Sequence, residues 1–208
     1  MEIITLQLGP LGTNCYLIVK GAEALIIDPG GNADEVITRL QNLNASPKAI
    51  LLTHAHFDHI GAVEVLRNHF HIDVYLHRNE NDWLQDPNLN RSTFFIGEEI
   101  SAREPDKLLE PGKMEIGKFR FEVAETPGHS PGSVSFIFKE LAFVISGDVL
   151  FQHSIGRTDL PGGDFQQLEA SIRNILYSLP DHFQVFAGHG LMTTIGEEKK
   201  NNPFVPFK

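Results

Sequence analysis

Sulfur is scarce in this chain: Cys15 is its only cysteine, beside three methionines. No internal disulfide can form, and no thiolate cluster is available for an iron–sulfur centre. Basic tracts of five or more residues are also missing, and 17 Lys and Arg against 27 Asp and Glu give a formal net charge of −10. That balance argues against a general nucleic-acid or anionic-membrane binder, while leaving room for a local positive pocket. No apolar run approaches the roughly 20 residues of a membrane helix, and the N-terminal stretch lacks a basic segment followed by an apolar core. The expectation is a chain without nucleic-acid or membrane partners, in a reducing cytoplasm. Any metal ligands must then be histidines and carboxylates.

What is present suffices for one sizeable core, and residues 1–208 are expected to form a single domain. Short apolar strands are expected at Ile3–Leu8, Cys15–Val19 and Ala24–Ile27, the last stopped by Asp28-Pro29-Gly30-Gly31. Asn32 with Glu35 reads as a capping pair for a helix whose stripe is Val36, Ile37, Leu40 and Leu43. Further strands are expected at 49–53, 72–76, 119–125, 133–138, 141–145 and 183–187, and helices from about 60 to 70 and from Phe165 to Leu179, the latter capped by Asp164. The polar, proline-interrupted stretch 86–112 has no assignable element. Strands with helices inserted between groups of them imply an α/β (α+β) class, sheets covered by helices.

The stretch Leu51–Leu66, LLTHAHFDHIGAVEVL, concentrates His54, His56, Asp58 and His59 where a strand ends and a helix begins. On a helix, residues two apart point about 200° apart, so His54 and His56 could not share an ion there; an irregular loop turns both to one point. Three later segments repeat the arrangement. His129, Asp148 and His189 each follow a glycine just beyond an expected strand, where the backbone can bend and approach an ion closely. A single turn histidine is usually structural; five histidines and two aspartates at four strand ends point to metal. Seven ligands exceed the four of one zinc and suit two ions sharing a carboxylate, and all-N/O ligation fits zinc, iron or manganese.

The string His54-x-His56-x-Asp58-His59, followed by His129, Asp148 and His189, resembles the metallo-β-lactamase superfamily. The resemblance implies a four-layer αββα sandwich with a two-metal site at one edge. It assigns His54, His56 and His129 to one divalent ion and Asp58, His59 and His189 to the other, with Asp148 bridging; zinc is the expected metal, iron or manganese the alternatives. DPGG at 28–31, TPGHSPGS at 126–133, GRTDLPGGD at 156–164 and the ending NNPFVPF resemble glyoxalase II-like hydrolases. Only 19 residues follow His189, so the C-terminal glutathione-binding helical domain of full-length glyoxalase II is expected to be missing, as in the short bacterial YcbL-type form. The activity implied is hydrolysis of a small thioester or ester, such as S-lactoylglutathione, with Asp58 and Asp148 as catalytic residues. The alternatives are a mononuclear-iron persulfide dioxygenase and a lactonase or β-lactamase. Arg157 reads as a substrate contact or as the partner of Asp159, and His153 as a second substrate candidate. Phe94 and Phe95 read as a substrate mouth or as loop anchors, and Cys15 as an inert buried thiol. The sequence leaves the oligomeric state open.

Overall fold

The computed structural model describes residues 1–207. Two compact units emerge, Met1–Leu109 with Glu115–Phe119, and Glu110–Met114 with Arg120 onward. In the first, strands β1 (Glu2–Leu8), β2 (Thr13–Lys20), β3 (Glu23–Ile27), β4 (Ser46–Leu51), β5 (Asp73–His77) and β6 (Lys107–Leu109) form one sheet in sequence order. The β1–β2–β3 meander is antiparallel, whereas β3 to β6 are parallel neighbours. Helix α1 (Ala33–Asn42) connects β3 to β4, and α2 (Phe57–Ile60) with α3 (Val63–Phe70) connects β4 to β5. Parallel strands need such crossovers, which cover the sheet and bury its strands on both faces. Accordingly β2 is buried throughout except at its last residue. Leu17, Ile26, Ile50, Val74 and the helix residues Val36, Leu40 and Leu66 form one buried cluster.

After β5 comes a 3-10 segment, Arg78–Leu84, and then α4 (Ser92–Ile96). The second sheet has the order β14-β13-β10-β9-β8-β7. Its strands are β7 (Gly112–Ile116), β8 (Phe119–Glu125), β9 (Val134–Phe138), β10 (Phe143–Gly147), β13 (Gln184–Ala187) and β14 (Thr193–Thr194). A small hairpin, β11 (Leu150–Phe151) and β12 (Ser154–Ile155), stands apart from it. Helices α5 (Phe165–Ser171, continued to Leu176 with wider π-type turns) and α6 (Ile195–Asn201) complete the second unit. Leu168, Ile172 and Leu176 join Val144 and Val185 in its core. Two β-sheets flanked by helices are the mixed α/β class read from the sequence. Among the described residues no helix is long and apolar enough to cross a membrane.

Several local expectations change. Asn32 does not cap α1 through its side chain. Its backbone is left-handed at φ 49°, and its Oδ1 instead accepts from Gly9 N at 2.8 Å. Strand β4 runs from Ser46 to Leu51, releasing Leu52 and Thr53 to the loop. The helix expected over 60–70 is interrupted after Ile60 because backbones meet there. A Cβ on Gly61 would lie 2.4 Å from Gly30 O, and one on Gly30 1.8 Å from Asp58 O. Stretch 86–112 holds α4 and β6, elements too short to leave a periodic signal. The Asp164 cap forms, with Oδ1 accepting from Gln167 N at 3.0 Å.

Candidate metal centre

In the first unit the relevant side chains sit at the carboxyl ends of parallel neighbours, where open α/β sheets characteristically present ligand sites. Asp28 follows β3, the 53–59 loop follows β4, and Glu80 follows β5. His54 and His59 are fully buried, and His56 and Asp58 nearly so. One ligand atom of His54 lies within 4.8 Å of one on His56 and on His59, and Asp58 and His59 are equally close. These four side chains therefore converge.

A support the sequence reading missed orients them. Buried Asp28 accepts from Thr53 N at 2.8 Å and from Thr53 Oγ1 at 2.6 Å, and its Oδ2 lies 3.1 Å from His59 Nδ1. A carboxylate only accepts, so a proton on His59 Nδ1 would face Asp28 and leave the Nε2 lone pair for a metal. Thr53, having given its proton to Asp28, can only accept from His54 Nδ1, 3.1 Å away. His54 thus also turns a lone-pair Nε2 outward. Thr13 Oγ1 donates to Asp58 Oδ2 at 2.8 Å. The Asp28–Thr53 and Thr13–Asp58 partners are 25 and 45 residues apart in sequence, beyond the reach of local patterning; DPGG was the only signal, and it marked a resemblance.

In the second unit, β9 runs antiparallel to both β8 and β10, and β10 parallel to β13. The chain therefore leaves β8, β10 and β13 in one direction, toward His129, Asp148 and His189. Gly147 pairs with Ala187, and Gly188 N donates to Gly147 O at 2.9 Å, which fixes Asp148 beside His189. His129 Nδ1 donates to Arg157 O at 2.8 Å, again leaving Nε2 for a ligand. Gly156 makes this possible: a Cβ there would fall 1.8 Å from Asp148 O and 3.2 Å from His129 Cβ.

The donor spacings suit metal. His129 Nε2 and His189 Nε2 lie 3.7 and 3.6 Å from the same Asp148 Oδ2, and His59 Nε2 lies 3.6 Å from Asp58 Oδ2. Such gaps are long for hydrogen bonds. They match the roughly 3.4 Å between tetrahedral donors about 2.1 Å from one ion. Nitrogen and oxygen donors of this kind fit zinc, iron or manganese.

The remaining candidates have other partners. Arg157 makes a bidentate pair with Asp159, both bonds 2.8 Å, and this pair pulls the Asp159 carboxyl down to about 2. His153 stands in the β11–β12 turn with φ 54°, its Nε2 2.8 Å from Glu197 Oε1. Phe95 stacks on buried Phe57 at 5.9 Å, while Phe94 is exposed. Cys15 is fully buried, and burial pushes its thiol well above the usual range.

The family model described as metallo-beta-lactamase superfamily matches residues 8–189. Among curated relatives, a probable metallo-hydrolase, YqgX of Bacillus subtilis, is 47% identical over 96% of this chain and 95% of its own length. The hydroxyacylglutathione hydrolase GloC of Haemophilus influenzae is 39% identical over the whole of both chains. Among solved structures, the BLEG-1 B3 metallo-beta-lactamase superposes with a TM-score of 0.96 at 51% identity, covering 98% of this chain and 99% of that one. TTHA1623 in a di-iron-bound form gives 0.88 at 42% identity, covering 97% and 99%. With ligand-ready histidines at the strand ends and these likenesses along nearly its full length, the chain belongs to the metallo-β-lactamase superfamily and is one of its metallo-hydrolases.

Proposed function

We propose that this protein is a two-metal hydrolase of thioesters, with S-lactoylglutathione as a representative substrate. His54, His56 and His129 would hold one divalent ion, and Asp58, His59 and His189 the other. The observation that carries the reading is the position of Asp148, whose Oδ2 stands nearly equidistant from the His129 and His189 nitrogens, at 3.7 and 3.6 Å. One oxygen so placed suits a carboxylate shared between two ions. Bound divalent ions supply a water with its pKa lowered to about 7 and a Lewis acid for the carbonyl oxygen. The chain's part is preorganisation: the Arg157 carbonyl holds His129 in the metal-ready tautomer, the Asp28 carboxylate beside His59 Nδ1 favours the same tautomer there, and Thr13 steadies Asp58. A thiol leaves as thiolate, its pKa about 8.5, so the residues need provide no separate proton donor, as an amine leaving group would require. The hydroxyacylglutathione hydrolase relative supports the thioester class. Zinc is the proposed metal, with iron kept open by the di-iron neighbour. With Cys15 the sole thiol, we place the protein in a reducing, cytoplasmic setting.

A second reading, β-lactam hydrolysis, is favoured by the 51% identity to BLEG-1. Metal-quantified protein assayed against thioesters, lactones, a chromogenic β-lactam and a persulfide with oxygen monitoring separates the readings. The expected result is the highest kcat/KM on a thioester, with no oxygen uptake. A β-lactam turned over more efficiently than every thioester, or persulfide-dependent oxygen consumption, would overturn the proposal.

A further inference from the structure

The ligand loop leaves the sheet after Leu51, and its backbone amides must find partners beyond the strand ladder. Alternate ones do so in series. Thr53 N donates to Asp28 Oδ1 at 2.8 Å, Ala55 N to Glu80 Oε2 at 2.6 Å, and Phe57 N to Asn90 O at 2.9 Å. Two of these three acceptors are fully buried carboxylates. They take the place of a neighbouring strand for a segment too irregular to pair with one.

Glu80 occupies the central rung, on the amide between His54 and His56. It lies in the 3-10 segment after β5, where its own φ/ψ of −124° and 15° break the helical run. Further contacts come from this segment and from Asn90 beyond it. Trp83 sets its ring 5.5 Å from the His56 ring, and Asn90 donates through Nδ2 to Trp83 O and Ile100 O at 3.2 and 2.8 Å. Residues 80, 83 and 90 therefore hold three consecutive residues of the ligand loop: 55, 56 and 57. A buried carboxylate is costly to desolvate, and a hydrogen bond to it is about twice as strong as a neutral one.

We infer that Glu80 is a positioning residue for the metal centre: by fixing the Ala55 amide it sets the directions of His54 and His56 and so the affinity of the ion they hold. The inference rests on the two-metal reading above. Groups that orient metal ligands typically contribute 10–100-fold in affinity. The test is a zinc titration of metal-stripped wild type, Glu80→Gln, Glu80→Asp and Glu80→Ala against a chromophoric chelator. Melting temperatures of stripped and loaded protein are recorded in parallel. Glu80→Ala should weaken one of two zinc sites by 10-fold or more, and its zinc-induced rise in Tm should shrink. Glu80→Gln keeps an acceptor for the Ala55 amide and should recover to within about tenfold of wild type. Glu80→Asp keeps the charge but draws the carboxylate back by one methylene; it should weaken the same site and carries the test if the alanine variant does not fold. Zinc affinities of the Ala and Asp variants equal to wild type would overturn the inference, as would a Tm loss equal in stripped and loaded protein with unchanged affinity. A wild-type chain that binds no divalent ion would overturn the two-metal reading itself, and this inference with it.

Discussion

Asp28→Asn is the sharpest probe of how the first unit prepares its histidines. The backbone tolerates it: Asp28 sits at φ 50°, in the left-handed region that Asn and Asp alike adopt. Only the chemistry of the tip changes. If the new amide nitrogen took the Oδ1 position it would face the Thr53 N–H, donor against donor, so the oxygen must stay there. The NH2 then falls at the Oδ2 position, facing Thr53 Oγ1 and His59 Nδ1. An amide N–H beside His59 Nδ1 favours a lone pair on that nitrogen, which moves the proton to Nε2, the nitrogen intended for metal. Thr53, now accepting from the introduced amide, is free to turn its own proton toward His54 Nδ1, which favours the same wrong tautomer in His54. One substitution therefore bears on two ligands. Loss of a hydrogen bond to a charged acceptor costs about 1.5–3 kcal/mol of folding stability. Metal affinity should fall 10–100-fold. Urea unfolding of stripped protein measures the first and chelator competition the second, while imidazole nitrogen chemical shifts report the tautomers. If His59 keeps its proton on Nδ1 and zinc binds within about twofold of wild type, the orienting role assigned to Asp28 is wrong.

Other outcomes follow from the same geometry. Asp148→Asn should lose at least one ion on elemental analysis and most thioester turnover while staying folded, because less negative charge offsets two neighbouring dications; His153→Asn, which suits the left-handed turn, should keep both ions. Retention of two tightly bound ions by Asp148→Asn would remove the bridging role. Gly156→Ala should displace the Asp148 and His129 backbones, since its Cβ would meet Asp148 O at 1.8 Å, and metal content should drop together with Tm. Tyr177 OH lies 3.1 Å from Glu198 O and 3.0 Å from Val205 O, so Tyr177→Phe should lower stability by about 1–2 kcal/mol in urea melts. Burial pushes this phenol up to about 12. The unfolded chain ionises first, so the Tyr177 contribution is complete below about pH 10 and fades between about pH 10 and 12. A Tyr177→Phe variant should therefore lack that part of the alkaline destabilisation.

The sequence exposed those parts of the molecule whose physics is local. Alternation in Phe119–Val123 and the three- and four-residue steps from Phe165 onward gave β8 and α5 because each element writes its buried face into its own residues. The strand-end donors were legible for a similar reason: an expected strand and the donor after it, with a glycine between them at His129, Asp148 and His189, lie within one short window. What escaped depends on meetings across the chain. Nothing near Gly61 announces that Gly30 will press against it and interrupt the helix there. Asn32 followed by Glu35 has the letters of a cap, but Gly9 claims its side chain. Asp28, Thr13 and Glu80 gain their roles only when β2, β3, β4 and β5 lie side by side.

The backbone contact beneath α2 has a consequence for how this protein can change. Gly30 meets both Asp58 O and a would-be Cβ on Gly61, and it receives Gly9 as well, whose own Cβ would lie 2.5 Å from Gly30 O. Three segments touch there main chain to main chain, with no side chain between them that could be trimmed or enlarged in compensation. Replacing a glycine by alanine commonly raises stability by about 0.4–1 kcal/mol by restricting the unfolded chain, and stabilisation strategies favour such changes. At this junction the same exchange drives atoms into a peptide group and tilts the helix that carries Asp58 and His59. Diversity introduced to alter substrate range is therefore best confined to exposed positions such as Phe94, Leu191 and Met192, leaving the three glycines beneath the ligand helix as fixed points of any library.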